Sequence, residues 1–360
     1  MKKILLTIHI PIALGLLGTG YAAYLNPVTC GIIALAGYLF PVFLALSILS
    51  LAIATLTYKR QLVIPVVALL AAYQPVTLYI PYNKTQDTPE EAITIMTYNT
   101  HSWGTGSTAA TIPEDADGGR KVMRYIANSK ADIVCLQESQ TCGNMGLLAD
   151  SILTPHYKYR DTARHTNDAQ LCILSKYPIT RKQHIDYPSK ANSSAAFWID
   201  INGKEIIVIN NHLESTGLSI EERNQFSDMI HGKNDTIKDI SKNIFSKLLD
   251  ATRIRVPQAK AIATFIRSHH NDNNTTPIIV CGDFNDLPHS YVHHTIADNL
   301  TDCYQATATG PGFSFSKYGM RVRIDNVLCT TNITPYNFRT DKTITTSDHY
   351  PIIGKLLLPR

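Results

Sequence analysis

The stretch Pro277-Ile278-Ile279-Val280-Cys281 runs directly into Gly282-Asp283-Phe284-Asn285. The first part is a short apolar run rich in β-branched residues, which is typical of a buried strand. The second part places an acid and an amide at the point where that strand ends. In layered α/β folds, ligand sites gather at the ends of strands. The stretch therefore predicts a buried strand that carries Asp283 and Asn285 into a site.

The same arrangement recurs along the chain on both sides of this stretch. Short β-type runs are predicted at 93–98, 131–136, 205–209, 323–328 and 351–357, with a helix at about 119–129 between the first two. Polar residues that end, interrupt or precede these runs are Asn99, Gln137-Glu138, Asn210-Asn211-His212, Asp325 in mid-strand and Ser347-Asp348-His349. Strands that alternate with helices predict an α/β fold.

Taken singly, each of these polar residues is weak evidence, because a lone Asp at a strand end is more often a turn residue or a helix cap. Taken together, they include one Glu, three Asp, two His and the two amides Asn99 and Asn285. Carboxylates bind a hard divalent cation such as Mg²⁺, and imidazoles and amides hold phosphate oxygens and handle protons. The set therefore predicts metal-assisted hydrolysis of a phosphoester.

Six short motifs resemble, in the same order, those of the endonuclease/exonuclease/phosphatase superfamily. They are Tyr98-Asn99, Gln137-Glu138, Asn211-His212-Leu213, Gly282-Asp283-Phe284-Asn285, Arg323-Ile324-Asp325 and Ser347-Asp348-His349. The resemblance spans about residues 92–358, and the Gly-Asp-Phe-Asn and Ser-Asp-His motifs are its most specific parts. It implies a four-layered α/β sandwich, in which two packed mixed β-sheets are flanked by helices and all six motifs meet at one end.

The resemblance also implies a metal site. Glu138 would be the principal ligand of a Mg²⁺ ion, with Mn²⁺ as the alternative, and Asn99 and Asp348 would help to bind the ion directly or through water. A cation there would act as a Lewis acid, neutralising the phosphoryl oxygens and the leaving oxygen.

Five further residues receive catalytic roles from the same resemblance. Asp283 would orient and polarise the attacking water, and Asn285 would hold a phosphate oxygen or the same water. His349 would pair with Asp325, which fixes the tautomer of the imidazole and raises its basicity. His212 would contact the phosphate and stabilise the charge that develops in the transition state. Whether Asp283 or His349 takes the proton stays open.

The charge of the chain is unevenly distributed. The sequence has 33 Lys and Arg against 29 Asp and Glu, a net charge of +4. Residues 1–80 contain Lys2, Lys3, Lys59 and Arg60 and no acid, so 29 basic residues remain to balance the 29 acids of 81–360. Binding to nucleic acid through bulk charge needs clustered basic residues. A neutral domain therefore argues against that mode of binding.

The N-terminal fifth is predicted to be a membrane region. No charged residue occurs from 4 to 58 or from 61 to 83, and a span needs roughly 20 apolar residues. We expect about three transmembrane helices at 4–25, 28–57 and 61–80, which make the chain a multi-pass integral membrane protein. Residues 84–91 would be a linker, and 92–360 the catalytic domain.

Basic residues accumulate on the cytoplasmic side of a membrane. The four basic residues would lie inside, and three crossings would place the catalytic domain on the non-cytoplasmic side of the cell inner or plasma membrane. If residues 1–22 are instead a cleaved signal peptide, two spans remain and the domain stays outside. Loss of the third span, which is short and interrupted by proline, would place the domain in the cytoplasm.

Three segments near the motifs have two interpretations each. Residues 217–256 contain an apolar helical face, which is either an ordinary surface helix or a lid or membrane-facing helix at the site. The loop 100–117, which ends just before Gly118-Gly119, either shapes the substrate pocket or is a mobile loop. Arg321 and Arg323 either reach a phosphate or are charges on the surface of a strand.

Seven cysteines provide no zinc-binding pattern, and Cys30 lies in the membrane region. Cys135, Cys172, Cys281 and Cys329 fall in β-type runs and are predicted to be small buried hydrophobic residues. Two others, Cys142 and Cys303, are predicted in loops, where an oxidising compartment would permit a disulfide.

The sequence thus predicts a membrane-anchored, divalent-metal-dependent phosphodiesterase or phosphatase. Its substrate would be a phosphoester of a small molecule or of a lipid headgroup. A membrane-tethered nuclease acting on DNA or RNA is the first alternative, and a non-catalytic interaction domain on the same fold is the second. The complete set of motifs argues against the last.

Overall fold

The computed structural model describes residues 2–57, 59–104, 116–139, 143–164, 170–230, 237–272 and 274–359. Within them, residues 93–357 form two six-stranded mixed sheets. Sheet A has the strand order β15-β16-β1-β2-β4-β3, and sheet B has the order β11-β14-β10-β7-β6-β5.

Sheet A consists of β1 (Ile93–Asn99), β2 (Ile133–Gln137), β3 (Tyr159–Ala163), β4 (Leu171–Ser175), β15 (Thr334–Thr340) and β16 (Ile352–Leu357). Sheet B consists of β5 (Ile179–His184), β6 (Ser193–Ile201), β7 (Lys204–His212), β10 (Ile278–Asp283), β11 (Leu300–Asp302) and β14 (Asp325–Thr330). Two small hairpins pair β8 (His270–Asn271) with β9 (Asn274–Thr275) and β12 (Phe315–Lys317) with β13 (Met320–Val322).

The inner faces of the two sheets pack against each other. Ile95 and Cys135 of sheet A and Phe197, Val208 and Cys281 of sheet B belong to one buried cluster. Alternate residues of a strand point to opposite faces, so the outer faces of both sheets are left to be covered by helices. The apolar runs of the sequence are therefore buried on both sides.

Helices cover the outer face of each sheet. On sheet A lie α6 (Ala116–Asn128) and α7 (Gly143–Leu153), whose apolar side chains join Met96 and Val134 in one cluster. On sheet B lie α9 (Ile237–His269) and α10 (Tyr291–Ile296). The remaining helices of this part are α8 (Ile220–Ile230) and α11 (Cys303–Thr307). The predicted four-layered α/β sandwich is confirmed, as is the helix expected at about 119–129.

The N-terminal region is helical throughout most of its described length. It contains α1 (Lys2–Gly20), α2 (Pro27–Cys30), α3 (Phe40–Leu56), α4 (Val63–Ala71) and α5 (Tyr73–Tyr79), with 3₁₀ segments Ala22–Tyr24, Gly31–Leu39 and Lys59–Leu62. Among the described residues, Pro27–Leu56 is the one unbroken helical stretch that is long and apolar enough to cross a membrane. A second candidate, Lys59–Ala71 with Tyr73–Tyr79, is bent by 61°, and Thr7–Gly20 is shorter.

The N-terminal helices pack directly on the sandwich. His289 donates a hydrogen bond from Nε2 to the carbonyl of Pro75 over 2.9 Å, and its ring stacks on Phe40 with ring centroids 4.3 Å apart. The predicted linker is held in place as well, because Asn337 donates from Nδ2 to the carbonyl of Gln86 over 2.7 Å. These contacts make the N-terminal region one wall of the folded unit.

Several local predictions need correction. Asp325 is the first residue of β14 and does not lie in mid-strand. Cys303 is not in a loop but is buried at the start of α11, with its Sγ 3.5 Å from that of Cys329. Cys142 lies outside the described residues. The other strand cysteines, Cys135, Cys172 and Cys281, are buried as predicted.

Neither interpretation of Arg323 is correct, whereas Arg321 is an exposed strand residue as one interpretation held. Arg323 is 3% exposed and donates to both carboxylate oxygens of Asp302 over 3.0 Å. It also donates to the carbonyl of Leu78, 3.3 Å away. Its charge is therefore neutralised inside the fold and is not available to a phosphate.

Candidate active site

The register of sheet B assembles half of the site around Asp283. This residue ends β10, and its neighbour in the parallel strand β7 is His212. Its neighbour in the antiparallel strand β14 is Asp325. His212 and Asp325 lie 71 and 42 positions from Asp283 in the sequence. They become its neighbours because strand pairing aligns the ends of three different strands.

A close approach of two backbones sets this register. Gly282 has φ +126°, and a Cβ atom at this position would lie 2.0 Å from the carbonyl oxygen of Asn211. Only glycine tolerates both the backbone conformation and the contact. The glycine of the Gly-Asp-Phe-Asn motif is therefore needed to bring β10 close to β7.

Sheet A contributes Asn99 and Glu138. Asn99 ends β1 and pairs in register with Gln137, the last residue of the parallel strand β2. From this position Asn99 Nδ2 donates to Glu138 Oε1 over 3.1 Å and to Asp283 Oδ2 over 3.0 Å. One amide therefore links the two sheets and holds two carboxylates close together.

His349 and Asp325 form a buried pair. His349 Nδ1 lies 2.8 Å from Asp325 Oδ2, and His349 Nε2 lies 3.8 Å from Asp283 Oδ2. Burial by itself lowers the pKa of His349, but the carboxylates of Asp325 and Asp283 outweigh it and raise that pKa to about 10. Burial, followed by the charge of Asp325, raises the pKa of Asp283 to about 6. The pair therefore has the geometry of an imidazole oriented by an acid.

His212 and Asn285 flank Asp283. The Nε2 atom of His212 lies 3.6 Å from Glu138 Oε1 and 3.8 Å from Asp283 Oδ2. Asn285 donates its backbone N–H to Asp283 Oδ1 over 2.8 Å and its side-chain amide to the carbonyl of Leu213, also over 2.8 Å. Asn285 thus fixes one oxygen of Asp283 and leaves the other toward Asn99, His212 and His349.

Ser347 and Ser314 support this cluster, although sequence reasoning assigned neither of them a role. Ser347 Oγ donates to the carbonyl of Asn99 over 2.9 Å and accepts the backbone N–H of His349. Ser314 Oγ accepts the backbone N–H groups of Ile324 and Asp325, each at 3.0 Å. Ser347 lies inside a predicted motif, so its position was a usable signal, whereas Ser314 had none.

His101 is a further site residue that the motifs did not include. Its Nδ1 lies 3.3 Å from Asp348 Oδ1, and it lines the same cleft as Asp283 and His349. The predicted pocket loop 100–117 contains it, and residues 105–115 of that loop lie outside the described residues. The first residues of the loop therefore shape the cleft, as one of the two interpretations held.

The donor set fits a hard cation. Glu138 and Asp283 direct carboxylate oxygens at the same amide nitrogen of Asn99, and Asp348 lines the same cleft. A cluster of oxygen donors of this kind suits Mg²⁺ or Mn²⁺ better than a soft metal. A second group of possible ligand atoms, all within 4.8 Å of one another, belongs to Asp283, Asp325 and His349. In this group Asp325 and His349 are already hydrogen-bonded to each other.

The cluster opens into a cleft of about 570 Å³. Its polar lining includes Glu138, His212, Asp283, Asn285, Asp348 and His349. Its apolar walls include Leu39, Leu218, Phe226, Ile244, Phe245, Leu248, Phe315, Met320 and Val322. This volume is in the range of small-molecule sites.

Residues 96–349 match the endonuclease/exonuclease/phosphatase family. The chain belongs to this family. Its members are phosphoester hydrolases and generally use divalent metal ions. Residues 2–79 match a separate family, described as a domain of unknown function (DUF8431). No curated protein sequence resembles the chain closely enough to count as a relative.

Solved structures of the endonuclease/exonuclease/phosphatase family share the fold. A member from Beutenbergia cavernae is 16% identical, with a TM-score of 0.54 over 75% of this chain and 72% of that one. The human nocturnin catalytic domain with bound sulfate is 16% identical, with a TM-score of 0.53 over 76% and 97%. A Bacteroides vulgatus member is 16% identical, with a TM-score of 0.52 over 74% and 99%.

Proposed function

We propose that the chain is a membrane-anchored, divalent-metal-dependent phosphohydrolase in which water attacks a phosphoester in line. The observation that carries the proposal is the position of Asp283. One of its oxygens faces the Asn99 amide, the imidazole of His212 and the imidazole of His349 at 3.0–3.8 Å. A buried carboxylate that meets an acid-oriented imidazole, a second imidazole and a carboxylate-rich cation site is suited to phosphoryl transfer to water.

The cation would be held by Glu138, with Asn99 and Asp348 assisting. When bound, it would supply Lewis-acid neutralisation of the phosphoryl oxygens and of the leaving oxygen. Mg²⁺ is the ion we propose, and Mn²⁺ is the alternative. The side-chain amide nitrogen of Asn99 donates to Glu138 and Asp283, and its Oδ1 accepts the backbone N–H of His101 over 3.0 Å. Asn99 would therefore assist by orienting the carboxylate of Glu138 or through a water.

The other residues position water, phosphate and protons. Asp283 would accept a hydrogen bond from the attacking water and hold it in line with the phosphorus. His349, oriented by Asp325, and His212 would donate hydrogen bonds to phosphate oxygens as charge develops on them. Asn285 would keep Asp283 in place through its backbone N–H. Because His349 donates its Nε2 proton in this arrangement, Asp283, whose Oδ2 lies 3.8 Å from that nitrogen, would take the proton of the water.

The membrane anchor and its orientation are part of the proposal. The apolar helical stretch Pro27–Leu56 supports one span, and the bent pair Lys59–Ala71 with Tyr73–Tyr79 is the candidate for the last crossing. With that last crossing, the distribution of Lys2, Lys3, Lys59 and Arg60 favours a catalytic domain on the non-cytoplasmic side of the inner or plasma membrane. Reporter fusions after Arg60 and at the C-terminus test this topology. A cytoplasmic signal from the C-terminal fusion would overturn it.

One assay tests the activity. The full chain in detergent is incubated with Mg²⁺ and bis-p-nitrophenyl phosphate, sphingomyelin, phosphoinositides or DNA, and the released products are measured. We expect hydrolysis of a non-nucleic-acid substrate that is lost in Asp283→Ala and His349→Ala but kept in the exposed-site controls Asp272→Ala and His156→Ala. Hydrolysis of DNA alone would replace the proposal by the nuclease alternative. If the wild type hydrolysed none of these substrates, the proposal that the chain is an enzyme would be contradicted.

A further inference from the structure

The cleft described above combines the polar cluster around Asp283 with extensive apolar walls. We infer that its substrate is a membrane phospholipid, whose phosphoester lies at Asp283 and whose hydrocarbon chain lies along the apolar walls. This inference rests on the proposed hydrolase function and specifies its substrate class.

The first wall begins at the catalytic cluster. The ring of Phe315 packs edge-on against the ring of His349, with centroids 5.1 Å apart. Met320 and Val322 of the adjacent strand β13 line the cleft beside it. Apolar surface thus begins in direct contact with a catalytic imidazole, so a group attached to the reacting phosphate meets hydrocarbon at once.

The second wall is formed by the insertion after the His212 motif. Phe226 of α8 and Ile244, Phe245 and Leu248 of α9 line the cleft. Ile244 is buried, whereas Phe245 is 42% exposed. The apolar face predicted for residues 217–256 therefore does not serve only to pack the helix on the core, because part of it faces the cleft of the active site.

The third wall comes from the N-terminal region itself. Tyr38 and Leu39, at the end of the 3₁₀ segment Gly31–Leu39, line the cleft, and Leu39 is 49% exposed. This segment belongs to the helical stretch that we propose to be a membrane span. The apolar part of the cleft is therefore continuous with the surface that would lie nearest the hydrocarbon of the bilayer.

The third wall is fixed in place by buried contacts. Tyr38 donates from its hydroxyl to Asp286 Oδ1 over 3.3 Å, and Asp286 pairs with Arg255 of α9 over 3.4 Å, with both charged side chains fully buried. A Cβ atom on Gly37 would lie 2.6 Å from the carbonyl oxygen of His289. These close contacts hold the N-terminal segment against the sandwich, and they fix the position of Leu39 in the wall of the cleft.

The charges of the cleft favour a lipid over a nucleic acid. Among the described lining residues, Arg223 is the only Lys or Arg, and its guanidinium lies over the ring of Tyr318 at 5.6 Å and donates to the carbonyl of Leu218. A polynucleotide has a charge on every phosphate and requires a basic track along the strand. A phospholipid joins one phosphate to a large apolar surface, which matches a cleft that has one cluster of ionisable side chains beside extensive apolar walls.

Chain-length dependence tests the inference. The full chain in lipid nanodiscs is assayed with methyl p-nitrophenyl phosphate and octyl p-nitrophenyl phosphate, which share the reacting centre and the leaving group. Because each buried methylene is favourable, we expect the wild-type kcat/KM to be at least about tenfold higher for the octyl ester. Leu39→Ser and Phe245→Ser should lower this octyl-to-methyl ratio at least about fivefold, whereas Leu147→Ser, at an exposed position away from the cleft, should keep it.

A second measurement does not depend on activity. A photoreactive benzoylphenylalanine replaces Phe245, or Leu147 as the control, in cells, and adducts are identified by mass spectrometry after irradiation. We expect phospholipid adducts at position 245 and none at 147. The inference of a lipid substrate would be overturned if the octyl-to-methyl ratio were the same in the wild type and all variants, or if no lipid adduct formed at position 245. This holds even if the methyl ester is hydrolysed. Adducts at 245 without hydrolysis of either ester would instead refute the hydrolase and leave the lipid site standing.

Discussion

The Nδ1 atom of His349 lies 2.8 Å from Asp325 Oδ2, and neither side chain is more than 7% exposed. Asp325 begins β14, and His349 precedes β16, so the pair joins the two sheets across the site. The other imidazole nitrogen faces Asp283, so in the proposed mechanism Asp325 would act on the reacting groups through His349.

The first prediction concerns this pair. Asp325→Asn should lower kcat at least about 100-fold, since the imidazole loses the charge that stabilises its protonated form. KM should change much less, because Asp325 does not contact the substrate directly. Steady-state kinetics on bis-p-nitrophenyl phosphate measure both. A variant with a raised KM and an unchanged kcat would show that Asp325 binds substrate instead.

The second prediction concerns the cation. Chelation with EDTA should abolish hydrolysis, and Mg²⁺ or Mn²⁺ should restore it. Glu138→Gln should raise the half-saturating Mg²⁺ concentration at least about tenfold, because a neutral amide is a weaker ligand than a carboxylate. The exposed Glu90→Gln serves as the matched control. An unchanged Mg²⁺ dependence in Glu138→Gln would place the cation elsewhere.

The third prediction concerns Gly282. In Gly282→Ala the added methyl group would collide with the Asn211 carbonyl, so β10 must move relative to β7 and displace Asp283. We expect the free energy of unfolding to fall by roughly 2–4 kcal/mol and kcat to fall with it. Gly310→Ala measures the cost of placing alanine at a positive φ without a collision, because Gly310 also has a positive φ but open space around its Cα. That control should lose only about 1 kcal/mol in chemical denaturation. Equal losses in the two variants would exclude a role for the close approach.

The fourth prediction concerns the buried ion pair of Asp302 and Arg323. Burial alone would raise the pKa of Asp302, but the charge of Arg323 and the contact with His293 hold it well below its usual range. A carboxyl with a lowered pKa in the folded state stabilises the fold above its unfolded pKa of about 3.9. That stabilisation is lost as pH falls toward the folded value.

Denaturation of the wild type between about pH 5 and pH 2.5 should therefore show a steep loss of unfolding free energy below about pH 4. Asp302→Asn should be destabilised at pH 7 by roughly 3–5 kcal/mol, since it leaves Arg323 buried and unpaired. Its acid dependence should be shallower than that of the wild type. Identical pH slopes in the two proteins would refute this account.

Much of the site was predictable because its chemistry is local to the strand ends. The carboxylate of Asp283 follows an apolar run, as Glu138 does, and both lie at the same end of the sandwich in the structure. The strand cysteines Cys135 and Cys281 were predictable for the same reason, since a run buried on both faces accepts a small apolar residue at any position. The buried position of Arg323 was not predictable in this way, because its partner Asp302 lies in another strand and nothing near Arg323 in the sequence indicates the pairing.

The sequence by itself determined which residues form the proposed site, since hydrophobic periodicity sets where strands end and residue type sets what each end can bind. It also determined the apolar N-terminal region. Only the tertiary structure decided what surrounds the reacting centre. His101 lies against Asp348, and Leu39 and Phe245 line one cleft. Contacts between residues about 200 or more positions apart depend on how whole layers pack, and no local pattern of apolar and polar residues encodes that packing.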